Sequence, residues 1–186
     1  MRVAFGGSFN PPTIAHRKII EILSKKYDEV IIVPNGSSYE RKKLDNFFDR
    51  VQMLKIMTND LSNVVISEIE HSRNFLGTFQ TLRELKHPYF VCGDDCLLDF
   101  KTWIQADLLL SENKFIILTR NKTVEDIKTI IKNDDFLSKF ENQFEILVIN
   151  YPDVSSSIFR TNFDKNIVTE EVYEYITKNN IYKEDL

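Results

Sequence analysis

Short apolar runs alternate along this chain with longer stretches in which apolar positions recur every three or four residues. Six runs read as strands: Arg2 to Gly6, Glu29 to Pro34, Val64 to Ile69, Tyr89 to Gly93, Lys114 to Arg120 and Glu145 to Asn150. The intervals carry helices, beginning with the amphipathic stretch Thr13 to Lys26. Runs such as Val30-Ile31-Ile32-Val33 and Phe115-Ile116-Ile117-Leu118 lack polar alternation, as expected for strands covered on both faces. The alternation predicts an α/β fold with a doubly wound parallel sheet and a ligand crevice beyond the carboxyl ends of its strands. After Asn150 the pattern changes: a loop leads to Ser155-Ser156-Ser157 and a short helix, then Thr169 caps a final helix, Glu170 to Asn179. This reads as a C-terminal helical extension, and with no repeat or low-complexity linker a single domain over residues 1–186 is expected.

Composition narrows the ligand. A chain of 186 residues, 42% hydrophobic, can bury one good core. A formal net charge of -4 argues against a general nucleic-acid or anionic-membrane surface, so any phosphate has to be met by local donors. No apolar run approaches the roughly 20 residues of a membrane span, and no signal-peptide layout precedes the first strand, which suits a cytoplasmic protein. Cys92 and Cys96 flank Gly93-Asp94-Asp95, and neither His71 nor His87 stands at ligand spacing from them. The pair reads as a buried thiol at a strand end and a second thiol at a helix start, with no protein-held metal expected.

The candidate chemistry starts at Gly6-Gly7-Ser8-Phe9-Asn10-Pro11-Pro12-Thr13-Ile14-Ala15-His16, a tight strand-to-helix turn. Glycines allow close backbone approach, and a helix start favours an anion. The spacing fits neither a P-loop nor a dinucleotide-binding fingerprint. It resembles the signature of the nucleotidylyltransferase superfamily, Gly-x-Phe-Asp/Asn-Pro followed by His/Thr-x-Gly-His, with Ala15 in place of the usual glycine and Thr13 in place of a first histidine. A second motif, Val154-Ser155-Ser156-Ser157-Ile158-Phe159-Arg160, is similar to that superfamily's Ile-Ser-Ser-Thr/Ser-x-Ile/Val-Arg, a Ser-rich helix start followed by a guanidinium fork. The fold so implied is the Rossmann-like nucleotidylyltransferase fold.

Within the superfamily, Cys92-Gly93-Asp94-Asp95-Cys96-Leu97 with Trp103 downstream resembles the Gly-Ala-Asp-x-Leu stretch of nicotinate and nicotinamide mononucleotide adenylyltransferases, Asp94 replacing alanine. Thr78-Phe79-Gln80-Thr81-Leu82 resembles their Thr-x-Asp-Thr-Leu, with Gln80 for the acid and Gly77 where bacterial members often have tyrosine. The ending Val172-Tyr173-Glu174-Tyr175-Ile176 with Ile181-Tyr182 also matches and reads as a packing element.

The resemblance implies transfer of AMP from ATP to a pyridine mononucleotide with release of pyrophosphate. It implies ATP contacts at Gly7, Ser8, Phe9, Thr13, His16, Gly93, Asp95, Ser156, Ser157 and Arg160, and mononucleotide contacts at Asn10, Lys42, Thr78 and Trp103. His16, Lys42 and Arg160 would carry the catalysis, His16 as an electrostatic donor rather than a base, with Mg²⁺ held mainly by ATP and water. Arg50 is read as a further local cation at the phosphates, and Lys43 competes with Lys42 for its place. Nicotinate and nicotinamide both remain open as substrates, a homo-oligomer is compatible, and pantetheine-phosphate adenylyltransferase or a non-catalytic nucleotide sensor are the rival readings.

Overall fold

The computed structural model describes residues 1–36, 46–71 and 76–182. Among them are strands β1 (Arg2–Gly7), β2 (Glu29–Pro34), β3 (Val64–Ile66), β4 (Tyr89–Gly93), β5 (Phe115–Thr119) and β6 (Phe144–Val148). The helices are α1 (Ile14–Lys26), α2 (Phe47–Met57), α3 (Thr78–Glu84), α4 (Cys96–Asp99), α5 (Ala106–Glu112), α6 (Val124–Asn133), α7 (Ser156–Asn162) and α8 (Glu170–Lys178). The strands form one six-stranded sheet in the order β3-β2-β1-β4-β5-β6, and the order reverses beside β1 as in doubly wound folds. The assigned pairings are all parallel, with Phe5 opposite Val91, Ile31 opposite Val65, Cys92 opposite Ile117 and Leu118 opposite Leu147.

Burial follows strand position. Every residue of β5 is buried, which is why its sequence carries no polar alternation. The outermost strands β3 and β6 keep residues at the surface. The third strand is shorter than expected, ending with its apolar residues at Ile66 rather than at Ile69. Ser67 still donates its N–H to the Ile32 carbonyl, but the chain then turns, His71 N–H donating to Glu68 O at 3.0 Å.

The chain divides into two compact units. Met1–Gly6 with Leu76–Asn150 is built on an aromatic core in which Phe100 meets Phe115 at 5.2 Å and Phe90 meets Phe115 at 6.2 Å between ring centres. Gly7–Phe75 with Tyr151–Leu186 buries Ile20, Leu23, Ile32, Met53, Leu54, Phe159, Val172 and Ile176. Thr13, Asn46, Thr123, Ser155 and Thr169 cap their helices with side-chain oxygens. No helix among the described residues is long and apolar enough to cross a membrane.

Candidate active site

The turn after β1 is held from several directions. Phe9 has a left-handed backbone, φ 46°, and is 1% exposed. Its ring lies 3.0 Å from where a Cβ on Gly7 would stand, so any larger residue at position 7 would have to displace it. The Phe9 ring is the floor of the turn. Arg50, expected as a further cation at the phosphates, stands elsewhere. It is fully buried, and its guanidinium donates to the carbonyls of Ser8 and Asn35, each at 2.7 Å, so it braces the turn instead of standing before a phosphate.

Thr13 and His16 form a capping box in which histidine takes the place usually held by Glu or Gln. The Thr13 backbone N–H donates to His16 Nδ1 at 2.9 Å, and the Thr13 hydroxyl lies 2.9 Å from the same nitrogen. A backbone N–H can only donate, so Nδ1 carries the lone pair and the neutral ring carries its proton on Nε2. Desolvation by burial pushes the His16 pKa down to about 4, which keeps the ring neutral at physiological pH. The Phe9 ring packs edge-on to it at 5.0 Å. His16 is therefore a fixed Nε2–H donor. Thr13, itself fully buried, sets that tautomer.

The second motif reaches the same turn. Ser155 caps α7 by accepting from Ile158 N–H. The O–H of Ser156 donates to the Pro11 carbonyl at 2.8 Å, tying α7 to the turn. Ser157 is exposed and accepts from Arg160 Nη2 at 3.3 Å. Arg160 Nη1 donates to the Asn10 carbonyl. With two of five N–H groups so engaged, the half-buried guanidinium keeps three for an anion. Asn10 itself is 4% exposed and accepts at Oδ1 from the Tyr182 hydroxyl at 2.9 Å. Lys42 and Lys43 lie outside the described residues.

The other motifs belong to the first unit. Gly93 ends β4, and the Asp95 carboxylate folds back over it, occupying the space a Cβ would need. Asp95 precedes α4 but makes no side-chain cap, so its exposed carboxylate is not explained by capping. Asp94, where the resembling stretch has alanine, accepts at one carboxylate oxygen from Thr119 Oγ1 at 2.8 Å and Lys122 Nζ at 2.6 Å. The Lys122 pairing could not be read from local sequence. Trp103 is half-buried, tilted against Phe100 at 4.9 Å and edge-on to Phe90 at 6.2 Å, so the core anchors it without covering it. Thr78 opens α3. Gly77 before it has φ 97°, and a Cβ there would lie 2.8 Å from Ile104 Cβ, which is why this chain has no side chain where a tyrosine is common.

Cys92 is buried in β4 and Cys96 opens α4, both as free thiols. The Cys96 thiol and burial together hold the Cys92 thiol above its ordinary range. Among the described residues, no group of three or more His, Cys, Asp or Glu is gathered at metal-binding distance.

The sequence profile of the cytidylyltransferase-like family matches residues 4–169. The chain belongs to this family. A curated relative from Acholeplasma laidlawii, described as "Probable nicotinate-nucleotide adenylyltransferase", is 37% identical, with 99% of this chain and 98% of the relative aligned. A Clostridium botulinum protein of the same description is 28% identical over 97% of this chain and 96% of its own. Among solved structures, Plasmodium falciparum nicotinic acid mononucleotide adenylyltransferase complexed with NaAD superimposes with a TM-score of 0.78 at 26% identity, covering 97% of this chain and 96% of that one. The family's α/β sheet and nucleotidyltransferase chemistry fit both motifs of the turn.

Proposed function

We propose that this chain, acting as one nucleotidylyltransferase domain over residues 1–186, is a cytoplasmic nicotinate-nucleotide adenylyltransferase of NAD biosynthesis. The mononucleotide phosphate attacks the α-phosphorus of ATP, a new P–O bond forms, the bond to the bridging oxygen breaks and pyrophosphate leaves. The nucleophile is already an anion, so no base is needed. What the protein must supply is alignment of two anions and stabilisation of charge as it grows.

The observation that carries this reading is His16, held by its capping box as a neutral Nε2–H donor at the start of α1. A neutral donor stabilises a phosphoryl oxygen without ever surrendering a proton. Arg160 adds its three remaining N–H groups and Ser157 its hydroxyl for the leaving pyrophosphate, with Lys42 completing the set. Gly93 and Asp95 serve the ATP ribose, a carboxylate accepting from sugar hydroxyls. Gly7 and Ser8 offer backbone to the phosphates, while Asn10, Thr78 and Trp103 serve the mononucleotide, Trp103 by stacking. Magnesium enters as part of the Mg-ATP substrate.

The names of the relatives support nicotinate over nicotinamide mononucleotide. Pyrophosphate release from Mg-ATP with nicotinate mononucleotide, nicotinamide mononucleotide and phosphopantetheine, compared side by side, tests the reading. Preference for the nicotinate nucleotide is expected. Turnover with phosphopantetheine alone, or with none of the three, would overturn it.

A further inference from the structure

We infer that Tyr182 is a positioning residue that acts through Asn10 on the Arg160 guanidinium. Its sequence context marks it only as a packing residue at the end of the chain. Tyr182 is 4% exposed, and its hydroxyl donates to Asn10 Oδ1, a partner 172 positions earlier that is equally buried. Its backbone is in the left-handed region, φ 63°, an uncommon conformation for a bulky residue. The ring is seated edge-on against Phe159 at 6.1 Å, and Phe159 is the residue before Arg160. Asn10 is thus gripped twice: Tyr182 holds its side chain and Arg160 holds its main-chain carbonyl.

The consequence for chemistry follows from that double grip. The direction in which Arg160 points depends on where the Asn10 carbonyl sits, and the Asn10 side chain is the part of that residue that Tyr182 fixes. Buried hydrogen bonds of this kind define a single arrangement, and losing one loosens it. Tyr182 touches no substrate in this scheme. Its effect on turnover passes entirely through Arg160, so the catalytic consequence rests on the adenylyl-transfer reading, whereas the positioning itself does not.

The test uses the full chain carrying Tyr182→Phe, which keeps the ring and removes the hydroxyl. The first readout is independent of activity: NMR of the Arg160 guanidinium, whose rotation is slow while Nη1 is bonded to the Asn10 carbonyl. Tyr182→Phe is expected to speed that rotation by at least about threefold, and Asn10→Ala, which removes the Tyr182 partner by another route, is expected to do the same. The second readout is steady-state turnover: kcat falls about tenfold, the size expected for one misaligned charge-assisted contact, with both KM values within about twofold. In an Arg160→Ala background the same substitution changes kcat by less than about twofold. Guanidinium rotation unchanged in both variants overturns the proposal, as does an equal loss of kcat with and without Arg160. If rotation responds but the unmodified protein turns over no pyridine mononucleotide, the positioning stands and the adenylyl-transfer reading is what has failed.

Discussion

The turn after β1 and the loop after β4 carry the two best-defined motifs of the chain, and they are built on opposite plans. The turn is braced by distant residues: Arg50 on Ser8 and Asn35, Ser156 on Pro11, Arg160 and Tyr182 on Asn10. The loop is braced over shorter separations: Asp95 over Gly93 and Trp103 on Phe100 locally, and Asp94 to Thr119 and Lys122 across 25 and 28 positions. On the proposed function the turn has the harder electrostatic task, because charge grows on phosphate oxygens in the transition state and donors there must not relax. A ribose needs only well-placed acceptors. The turn is therefore expected to fail through catalysis and stability, and the loop through ATP affinity.

The largest effect is expected at His16. His16→Ala should lower kcat by about two to three orders of magnitude, as for removal of an oxyanion donor. It should cost only about 1 kcal/mol of stability, the weight of one helix cap, measured by urea unfolding. Near-normal turnover would remove His16 from the chemistry.

Arg50→Met comes next and separates bracing from phosphate binding. It keeps the apolar stem but strands the Ser8 and Asn35 carbonyls, at a cost of about 3 kcal/mol in chemical denaturation. If stability were unchanged while the KM for ATP rose steeply, Arg50 would be a phosphate cation after all.

A smaller effect is expected in the loop. Removing Lys122 leaves the Asp94 carboxylate uncompensated beside Asp95, so Lys122→Ala should raise the KM for ATP about threefold, less so in high salt. The D94A/K122A double variant should restore it, because the repelling charge is gone. A double variant no better than Lys122→Ala would show that Lys122 binds ATP directly.

The gentlest prediction concerns pH. His16 has an ordinary value of 6.5 and a folded value of about 4, so the folded state binds fewer protons than the unfolded one between them. Its contribution to stability is complete above pH 6.5 and is lost as pH falls toward 4. His16→Ala should flatten that part of the unfolding profile measured by urea midpoints from pH 7 to 4.

The same contrast explains what could be read from sequence. Strand runs, the helix starting near Thr13 and both motif positions are legible because periodicity and glycine spacing are local signals. Val64 to Ile69 reads too long because Ser67 and Glu68 before Ile69 fit the polar alternation of an edge strand as well as they fit a turn. What the side chains of Phe9, Arg50 and Ser156 touch within the protein is not legible, because a motif names residues without saying which ones face inward. Tyr182 was missed as a chemical partner for a related reason: nothing near it in sequence points to Asn10. The capping box was half legible, since Thr13 and His16 have the right spacing, but histidine in the Glu/Gln position hides it.

Everything proposed for the turn rests on His16 as a neutral Nε2–H donor, which ¹⁵N NMR titration of its ring in the full chain reads directly. A protonated Nε2 and an unprotonated Nδ1 are expected at pH 7, persisting until protonation near pH 4. A ring protonated on Nδ1 at pH 7, or one titrating near 6.5, would contradict that role.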